Sequence, residues 1–153
     1  MARPKNYRDL IVRQKAMELA RGTLLACRRA PKAEAYALLN QMRRAAVSVP
    51  SNIAEGHGRL TDAQFRHFLG NARGSLYELQ TQLEMAGDLG YLERPKVREL
   101  MEMGLETARL INGLIAVLGE PEAAGGGNAN SASLANSANH ANAAASSAQR
   151  AQK

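Results

Sequence analysis

Residues 61–88 read TDAQFRHFLGNARGSLYELQTQLEMAGD, and this stretch decides the fold because its apolar side chains recur at alternating intervals of four and three. Such spacing keeps every member on one side of an α-helix. The members are Phe65, Leu69, Ala72, Leu76, Leu79, Leu83 and Ala86. Thr61 and Gln64 fit a capping box at the start, and Gly87 and Gly90 mark the end. The stretch therefore predicts one long amphipathic helix over about 62–89.

The residues that follow predict another helix over about 95–118, with Pro95 in the first turn and Gly119 after the last. Two apolar rows run along it side by side. One consists of Val97, Met101, Gly104, Ala108, Ile111, Ile115 and Leu118, and the other of Leu100, Met103, Leu110, Leu114 and Val117. The combined face is wider than a helix packed on one side requires. It fits either a helix buried in its own bundle or a helix that also packs against another subunit.

The first 60 residues contain two more apolar stripes with helical spacing, which predict helices over about 7–29 and 33–55. The stripes consist of Tyr7, Leu10, Met17, Leu24 and Cys27 in the first helix and Tyr36, Leu39, Met42, Ala46, Val49 and Ile53 in the second. Pro50 predicts a kink or a short break, because proline lacks a backbone donor. Gly56 and Gly58 predict the turn into the next helix. Cys27 is expected to be a small buried hydrophobe.

No segment shows sustained strand-like alternation, and the connections are short. The sequence therefore predicts an all-α protein, an antiparallel up-down-up-down four-helix bundle over residues 1–119. Residues 121–153 differ, because Ala, Asn, Ser and Gly account for 25 of these 33 positions. That composition cannot bury enough apolar surface to offset the entropy lost on ordering. Residues 120–153 are therefore predicted to be a disordered C-terminal tail.

The chain lacks the residue patterns of common catalytic and metal sites. One cysteine is too few for a disulfide framework or a cysteine zinc module. No Glu-x-x-His pair indicates a ferritin-like metal centre, and no histidine near the serines in sequence suggests a triad. We expect no enzymatic activity, no metal and no cofactor. No apolar run reaches the ~20 residues of a membrane span, and the N-terminus has no secretory core, so we expect a cytoplasmic protein.

Charge is unevenly distributed within a formal net charge of +6. Residues 1–60 hold 12 basic and 4 acidic side chains, whereas residues 61–120 hold 6 and 9. A basic surface attracts nucleic-acid phosphates without reading base sequence. The candidate contacts are Lys5, Arg8, Lys15 and Arg29 along one flank of the first helix, Arg66 and Arg73 on the third, and Arg59 close to them in sequence.

Two observations limit this hypothesis. The chain has no Trp, and the apolar stripes include Tyr7 and Tyr36, so few aromatic rings remain to stack on bases. We therefore expect any nucleic acid to be held by its phosphates. The alternative is that the basic side chains serve solubility alone.

Pro50 lies within RRAAVSVPSNIAEG, residues 43–56, among short polar side chains. These side chains can satisfy the backbone groups that the proline frees, and they are Ser48, Ser51 and Asn52. In this interpretation the cluster repairs the helix, and Glu55 pairs with an arginine such as Arg59 or Arg73. Gly74 lies in the middle of the third helix, where it predicts close approach of a neighbouring backbone.

These stretches resemble a bacterial protein family. The residues that carry the resemblance most clearly are Arg43, Arg44, Pro50, Ser51, Asn52, Glu55, Gly56, Gly74, Ser75 and Glu78, together with Phe65, Phe68 and Leu69. The segments YRDL at 7–10 and LGYL at 89–92 agree as well. Over roughly residues 7–118, the chain is similar to the proteins known as four helix bundle proteins or ribosomal-RNA intervening-sequence proteins.

The resemblance implies an antiparallel four-helix bundle that assembles into a homopentamer and has no enzymatic activity. Some family members are encoded within sequences inserted in large-subunit ribosomal RNA genes. Relatives of the same fold are accessory proteins of diversity-generating retroelements, which bind nucleic acid and a reverse transcriptase. The implied partners are therefore further copies of the chain, RNA or DNA, and a reverse transcriptase or another protein.

The chain departs from the family pattern near both ends of the first helix. Arg13 stands where the family usually has Trp, and Ala30 stands where it has an aromatic residue before Pro31. Arg13 falls on the apolar side of the helix, so its charge must extend to solvent or meet a carboxylate.

Together these observations favour a non-enzymatic, oligomeric bundle that binds structured RNA or RNA/DNA through basic patches. The alternative is a homo-oligomeric protein–protein adaptor without a role in nucleic-acid binding.

Overall fold

The computed structural model describes residues 3–30 and 33–119, which form four α-helices and contain no strand. The helices are α1 (Ile11–Arg29), α2 (Tyr36–His57), α3 (Asp62–Asp88) and α4 (Arg94–Val117). Short 3-10 helices, Tyr7–Asp9 and Ala33–Ala35, precede α1 and α2. The predicted C-terminal tail, residues 120–153, lies outside the described residues.

The helices pack in a closed ring. Each contacts its neighbours in sequence, and α4 returns to contact α1. Short connections of four residues between α2 and α3 and five between α3 and α4 force consecutive helices to run antiparallel. The predicted up-down-up-down four-helix bundle is therefore confirmed.

The apolar seam of α3 forms the middle of the core. All seven of its predicted members are buried, from Phe65 to Ala86. The predicted cap is also present, since the Thr61 hydroxyl accepts a hydrogen bond from the Gln64 amide at 3.2 Å. Gly90 has a φ of +68°, and this left-handed residue lets the Tyr91 amide return to the Ala86 carbonyl at 2.8 Å.

Helix boundaries differ from the prediction in the first half of the chain. α1 begins at Ile11 instead of about residue 7, because Tyr7 belongs to the separate 3-10 turn. α2 begins at Tyr36, which was expected on the core stripe but is 67% exposed. Ala35, the residue before it, is fully buried instead, so the first turn of α2 places Ala35 in the core and Tyr36 toward solvent.

α2 continues through Pro50 without the break that the sequence predicted. Side-chain bonds reinforce the turn, since the Ser51 hydroxyl donates to the Val47 carbonyl at 2.8 Å. Val49 and Ile53, both fully buried, hold the two halves of the helix against the same core. Tertiary packing thus outweighs the single backbone bond that proline removes.

Two glycines have roles that differ from those predicted. Gly56 is buried inside α2 instead of forming the turn, and a Cβ there would lie 2.5 Å from Phe68 Cβ. It therefore permits α2 to approach α3 closely. Gly74 has the opposite environment, because a Cβ at that position would have no atom within 4 Å of it. The close approach predicted at Gly74 is not present in this chain, because this side of α3 faces outward.

α4 buries Gly104, Ala108 and Ile111 from one predicted apolar row and Leu100 from the other, together with Thr107, which neither row included. The remainder of the wide apolar face is only partly covered, and Val117 is 59% exposed. Among the described residues, no helix has the length and apolar character needed to cross a membrane.

Candidate nucleic-acid interface

The polar residues near Pro50 connect two helices. The Ser48 hydroxyl on α2 lies 2.8 Å from the Ser75 hydroxyl on α3. Asn52 Nδ2 donates to the Ser48 hydroxyl at 3.0 Å and to the Ser48 carbonyl at 2.9 Å. These half-buried groups satisfy one another, so they fix the α2–α3 contact and are not available to a ligand.

The other motif residues are also engaged within the bundle. Arg43 Nη2 donates to the Cys27 carbonyl at 3.3 Å and so joins α2 to the end of α1. Glu55 forms an ion pair with Arg59, one of the two partners expected for it. Glu78 accepts a hydrogen bond from Gln82 Nε2 at 3.1 Å. Arg44 alone of this group is an exposed cation without an ion-pair partner in residues 3–30 and 33–119.

The N-terminal residues pack over the turn between α2 and α3. Arg3 pairs with Asp62, donates to the Arg59 carbonyl at 3.0 Å and places its guanidinium 5.0 Å from the centre of the Phe65 ring. His57 Nε2 lies 2.9 Å from the Pro4 carbonyl. The cations at this end of the bundle therefore stabilise the local fold.

The seven basic residues predicted to contact nucleic acid lie in different parts of the bundle. Arg59 and Arg66 lie near the α2–α3 turn. Arg29 lies at the opposite end of the bundle, where it lines an open cleft of about 910 Å³ beside the α3–α4 turn. Lys5 and Arg8 are exposed before α1 begins. No single patch contains all seven residues.

Three of those seven have partners that reduce their availability. Lys15 Nζ lies 3.5 Å from carboxylate oxygens of both Glu106 and Glu18, and these charges, Glu106 first, raise the pKa of the Lys15 amine. Arg59 pairs with Glu55. Arg73 Nη1 donates to Asn112 Oδ1 on α4 at 3.0 Å, a neutral partner that leaves the charge uncompensated.

Four arginines of α1 and α2 were not among the predicted nucleic-acid contacts, although Arg43 and Arg44 were named as motif residues. Arg21, Arg28 and Arg44 are exposed, and no carboxylate of the described chain pairs with them or with Arg43. The signal was present in the sequence, because α1 and α2 contain only two glutamates, Glu18 and Glu55. It was missed because only the fold shows which basic residues those glutamates neutralise.

Arg13, on the apolar side of α1, forms no ion pair with a described carboxylate and contacts an aromatic ring instead. Its guanidinium lies 4.9 Å from the centre of the Tyr7 ring, and Arg8 lies 5.0 Å from the same ring. Neither direct extension to solvent nor an ion pair accounts for this half-buried charge. A cation–π contact takes their place.

No cluster of three or more His, Cys, Asp or Glu side chains within the described ranges could hold a metal ion. His67 is exposed, and His57 packs edge-on against Phe65 at 5.9 Å between ring centres.

The model of one protein family matches residues 8–113, and that family is described as the 23S rRNA-intervening sequence protein. The chain belongs to this family. The chain is also similar to a crystal structure from Bacteroides thetaiotaomicron, described as a protein of unknown function from the S23 ribosomal protein family. The two share 21% identity with a TM-score of 0.65, over 69% of this chain and 98% of the other. No curated protein matches the sequence.

The match to the 23S rRNA-intervening sequence family spans α1 to α3 and most of α4. It includes both the Ser48–Ser75 contact and the arginines of α1 and α2. The likeness to the Bacteroides protein extends to the fold alone, and its description states no activity.

Proposed function

We propose that this 23S rRNA-intervening sequence protein is a non-enzymatic, self-associating scaffold that binds nucleic acid through phosphate contacts. The observation that supports it is the uneven distribution of charge between the two halves of the bundle. In the α1–α2 half, basic side chains outnumber carboxylates, and no described carboxylate pairs with Arg21, Arg28, Arg43 or Arg44. In the α3–α4 half, carboxylates are in excess, although only Arg94 and Lys96 of its described cations form ion pairs.

Arginine is well suited to this task. Its guanidinium stays charged at any physiological pH, is weakly hydrated and matches phosphate geometry with two parallel donors. The bundle therefore has an uneven electrostatic potential. Guanidinium groups without carboxylate partners lie on one side, and excess carboxylates lie on the opposite side. A polyanion therefore approaches one side, which orients the complex before any short-range contact forms.

Self-association is the second part of the proposal, and the α4 surface supports it. Val117 is 59% exposed, and Met103, Leu110 and Leu114 are only partly covered by their own bundle. Ile11 at the start of α1 is 62% exposed. A second copy that covers the α4 row would remove this apolar area from water. In a ring such as the homopentamer implied by the family resemblance, each copy would also repeat the basic side.

Salt dependence tests the nucleic-acid part. Fluorescence anisotropy with a labelled RNA hairpin and a DNA duplex should give an affinity that falls linearly with salt on a logarithmic plot, from about 50 to about 200 mM. An absence of binding at low salt, or binding that does not respond to salt, would contradict phosphate recognition. Either result would favour the protein–protein adaptor.

Sedimentation velocity tests self-association. Val117→Glu places a charge in the α4 row and should convert the oligomer to monomers with unchanged helicity. Leu105→Glu is the matched control, since Leu105 is similarly exposed at 51% but lies on the opposite flank of the helix. A wild-type chain that sediments as a monomer at micromolar concentration would refute self-association.

A further inference from the structure

The exposed sector of α1 has two edges with different surroundings. Lys15 marks the edge beside α4, because its amine contacts Glu106. Gly22 lies seven residues later on the same edge, where a Cβ would meet Leu100 at 3.0 Å. Arg21 and Arg28 are also seven residues apart, but they are rotated away from α4 toward α2. They lie about 10 Å apart along the helix axis.

The neighbouring edge of α2 contributes a third arginine and a tyrosine. The bond from Arg43 to the Cys27 carbonyl places Arg43 on the side of α2 that faces α1. Tyr36 precedes Arg43 by seven residues, or two helical turns, and so shares its stripe. Arg44 follows Arg43 and is exposed on the outer surface of α2. We call Arg21, Arg28, Tyr36, Arg43 and Arg44 the arginine face.

Carboxylates do not neutralise the arginine face. The segment from Ile11 to His57 contains three of them, and two are engaged elsewhere, Glu18 with Lys15 and Glu55 with Arg59. Glu34, in the connection between α1 and α2, is the third, and no described cation pairs with it. Arg21, Arg28 and Arg44 are therefore exposed cations without a described carboxylate partner on two adjacent helices.

The exposed ring of Tyr36 favours a single strand over a duplex as the ligand. The Tyr36 side chain is 67% exposed, more than that of Tyr77 at 48%, and it lies two helical turns before Arg43 on α2. A duplex hides the faces of its bases within the stack, whereas a single strand offers them to aromatic side chains. An exposed aromatic ring beside cations that follow a backbone is the combination used by proteins that bind single strands.

We infer that the arginine face binds single-stranded nucleic acid, with the guanidinium groups of Arg21, Arg28 and Arg44 on its phosphates and Tyr36 stacked on an unpaired base. This inference rests on the proposed function and goes beyond it by specifying the surface and the form of nucleic acid. It also replaces the dispersed set of seven basic residues with three exposed arginines on two adjacent helices.

Anisotropy with the full-length protein tests the inference with three probes: oligouridylate, oligothymidylate and a duplex of the same length. The triple variant Arg21→Gln, Arg28→Gln, Arg44→Gln should weaken single-strand binding by at least roughly tenfold at low salt and lower the salt slope by roughly 2. The matched control removes the same charge from the other half, with Arg66→Gln, Arg73→Gln and Arg98→Gln. It should change the affinity less than about threefold. Equal losses from both triple variants would overturn the inference while leaving the proposed function standing.

Tyr36→Ala should reduce single-strand affinity by about 5- to 150-fold without changing duplex affinity, whereas Tyr36→Phe should retain it. Tyr77→Ala is the control on α3 and should leave both affinities unchanged. An equal effect of Tyr36→Ala on duplex and single strand would overturn the stacking contact. Competition by polyglutamate as effective as that by oligouridylate would overturn nucleic acid as the ligand. Failure of the wild-type protein to bind any probe at low salt would instead refute the proposed function itself.

Discussion

The hydroxyl groups of Ser48 and Ser75 lie 2.8 Å apart, across the contact between α2 and α3. The two residues are 27 positions apart in sequence, and the pair is half-buried. Asn52 donates to the same Ser48 oxygen from one turn further along α2. A polar contact at this point sets the register of the two helices, because a shift of either helix would leave half-buried hydroxyls without partners.

A double-mutant cycle on Ser48 and Ser75 should detect this bond. Each single alanine variant should lower the free energy of unfolding by about 1 kcal/mol, with the larger loss for Ser48→Ala because Asn52 then loses an acceptor. The double variant should be less destabilised than the sum, by roughly 0.5 to 1 kcal/mol. Urea unfolding measures all three values, and strictly additive losses would show that the hydroxyls do not interact.

Gly56→Ala and Gly74→Ala should have opposite effects on stability. At Gly56 the new methyl group meets Phe68 Cβ at 2.5 Å and Phe65 Cδ2 at 2.9 Å, so α2 must move from α3 at a cost of about 1–3 kcal/mol. At Gly74 no atom lies within 4 Å, and alanine should stabilise the single bundle by up to about 1 kcal/mol. Thermal unfolding of both variants checks the contrast. If Gly74→Ala destabilises the protein only under conditions in which it self-associates, Gly74 lies at a contact between subunits.

Arg13→Gln should destabilise the bundle through loss of the contact with the Tyr7 ring. The guanidinium lies 4.9 Å from the ring centre, and a contact of this kind contributes about 0.5–1 kcal/mol. Tyr7→Phe should preserve the effect of Arg13, whereas Arg13→Gln in a Tyr7→Leu background should cost little more. Denaturant midpoints measure the four chains. A full cost of Arg13→Gln in the Tyr7→Leu background would contradict the cation–π account.

Stability should fall at alkaline pH because of Cys27. Burial raises the pKa of the Cys27 thiol above its ordinary value, and the charge of Arg43 opposes that shift only in part. The unfolded thiol ionises from about pH 8.5, whereas the folded thiol stays protonated to higher pH. The contribution of Cys27 to the free energy of unfolding is therefore constant below that value and decreases above it.

Unfolding midpoints at pH 7, 8 and 9 for the wild type and Cys27→Ala should reveal this linkage. Between pH 8 and pH 9, the free energy of unfolding should decrease more for the wild type than for Cys27→Ala. Thiol-reactive reagent should modify Cys27 slowly in the native protein, because the residue is 2% exposed. Parallel pH profiles for both chains would rule out the expected titration.

Helical periodicity in the sequence was sufficient to predict most of the fold. The α3 seam from Phe65 to Ala86 is buried at all seven positions, and Thr61 caps the helix as expected. Pro50 was the main difficulty, since local propensity favoured a break that the burial of Val49 and Ile53 in the same core suppresses. The candidate site could be predicted only in part, because the sequence contains the excess of arginine but does not indicate that Lys15 pairs with Glu106 on α4.

The sequence by itself determined that four amphipathic helices form and that basic residues concentrate in the first half, because periodicity and charge are properties of the linear chain. Tertiary structure alone decided which cations are neutralised, since the pairing of Lys15 with Glu106 joins residues 91 positions apart. It also decided that Gly56 packs against Phe68 while Gly74 faces open space. The physical reason is that ion pairs and steric contacts act over a few ångströms in space, and only folding sets those distances.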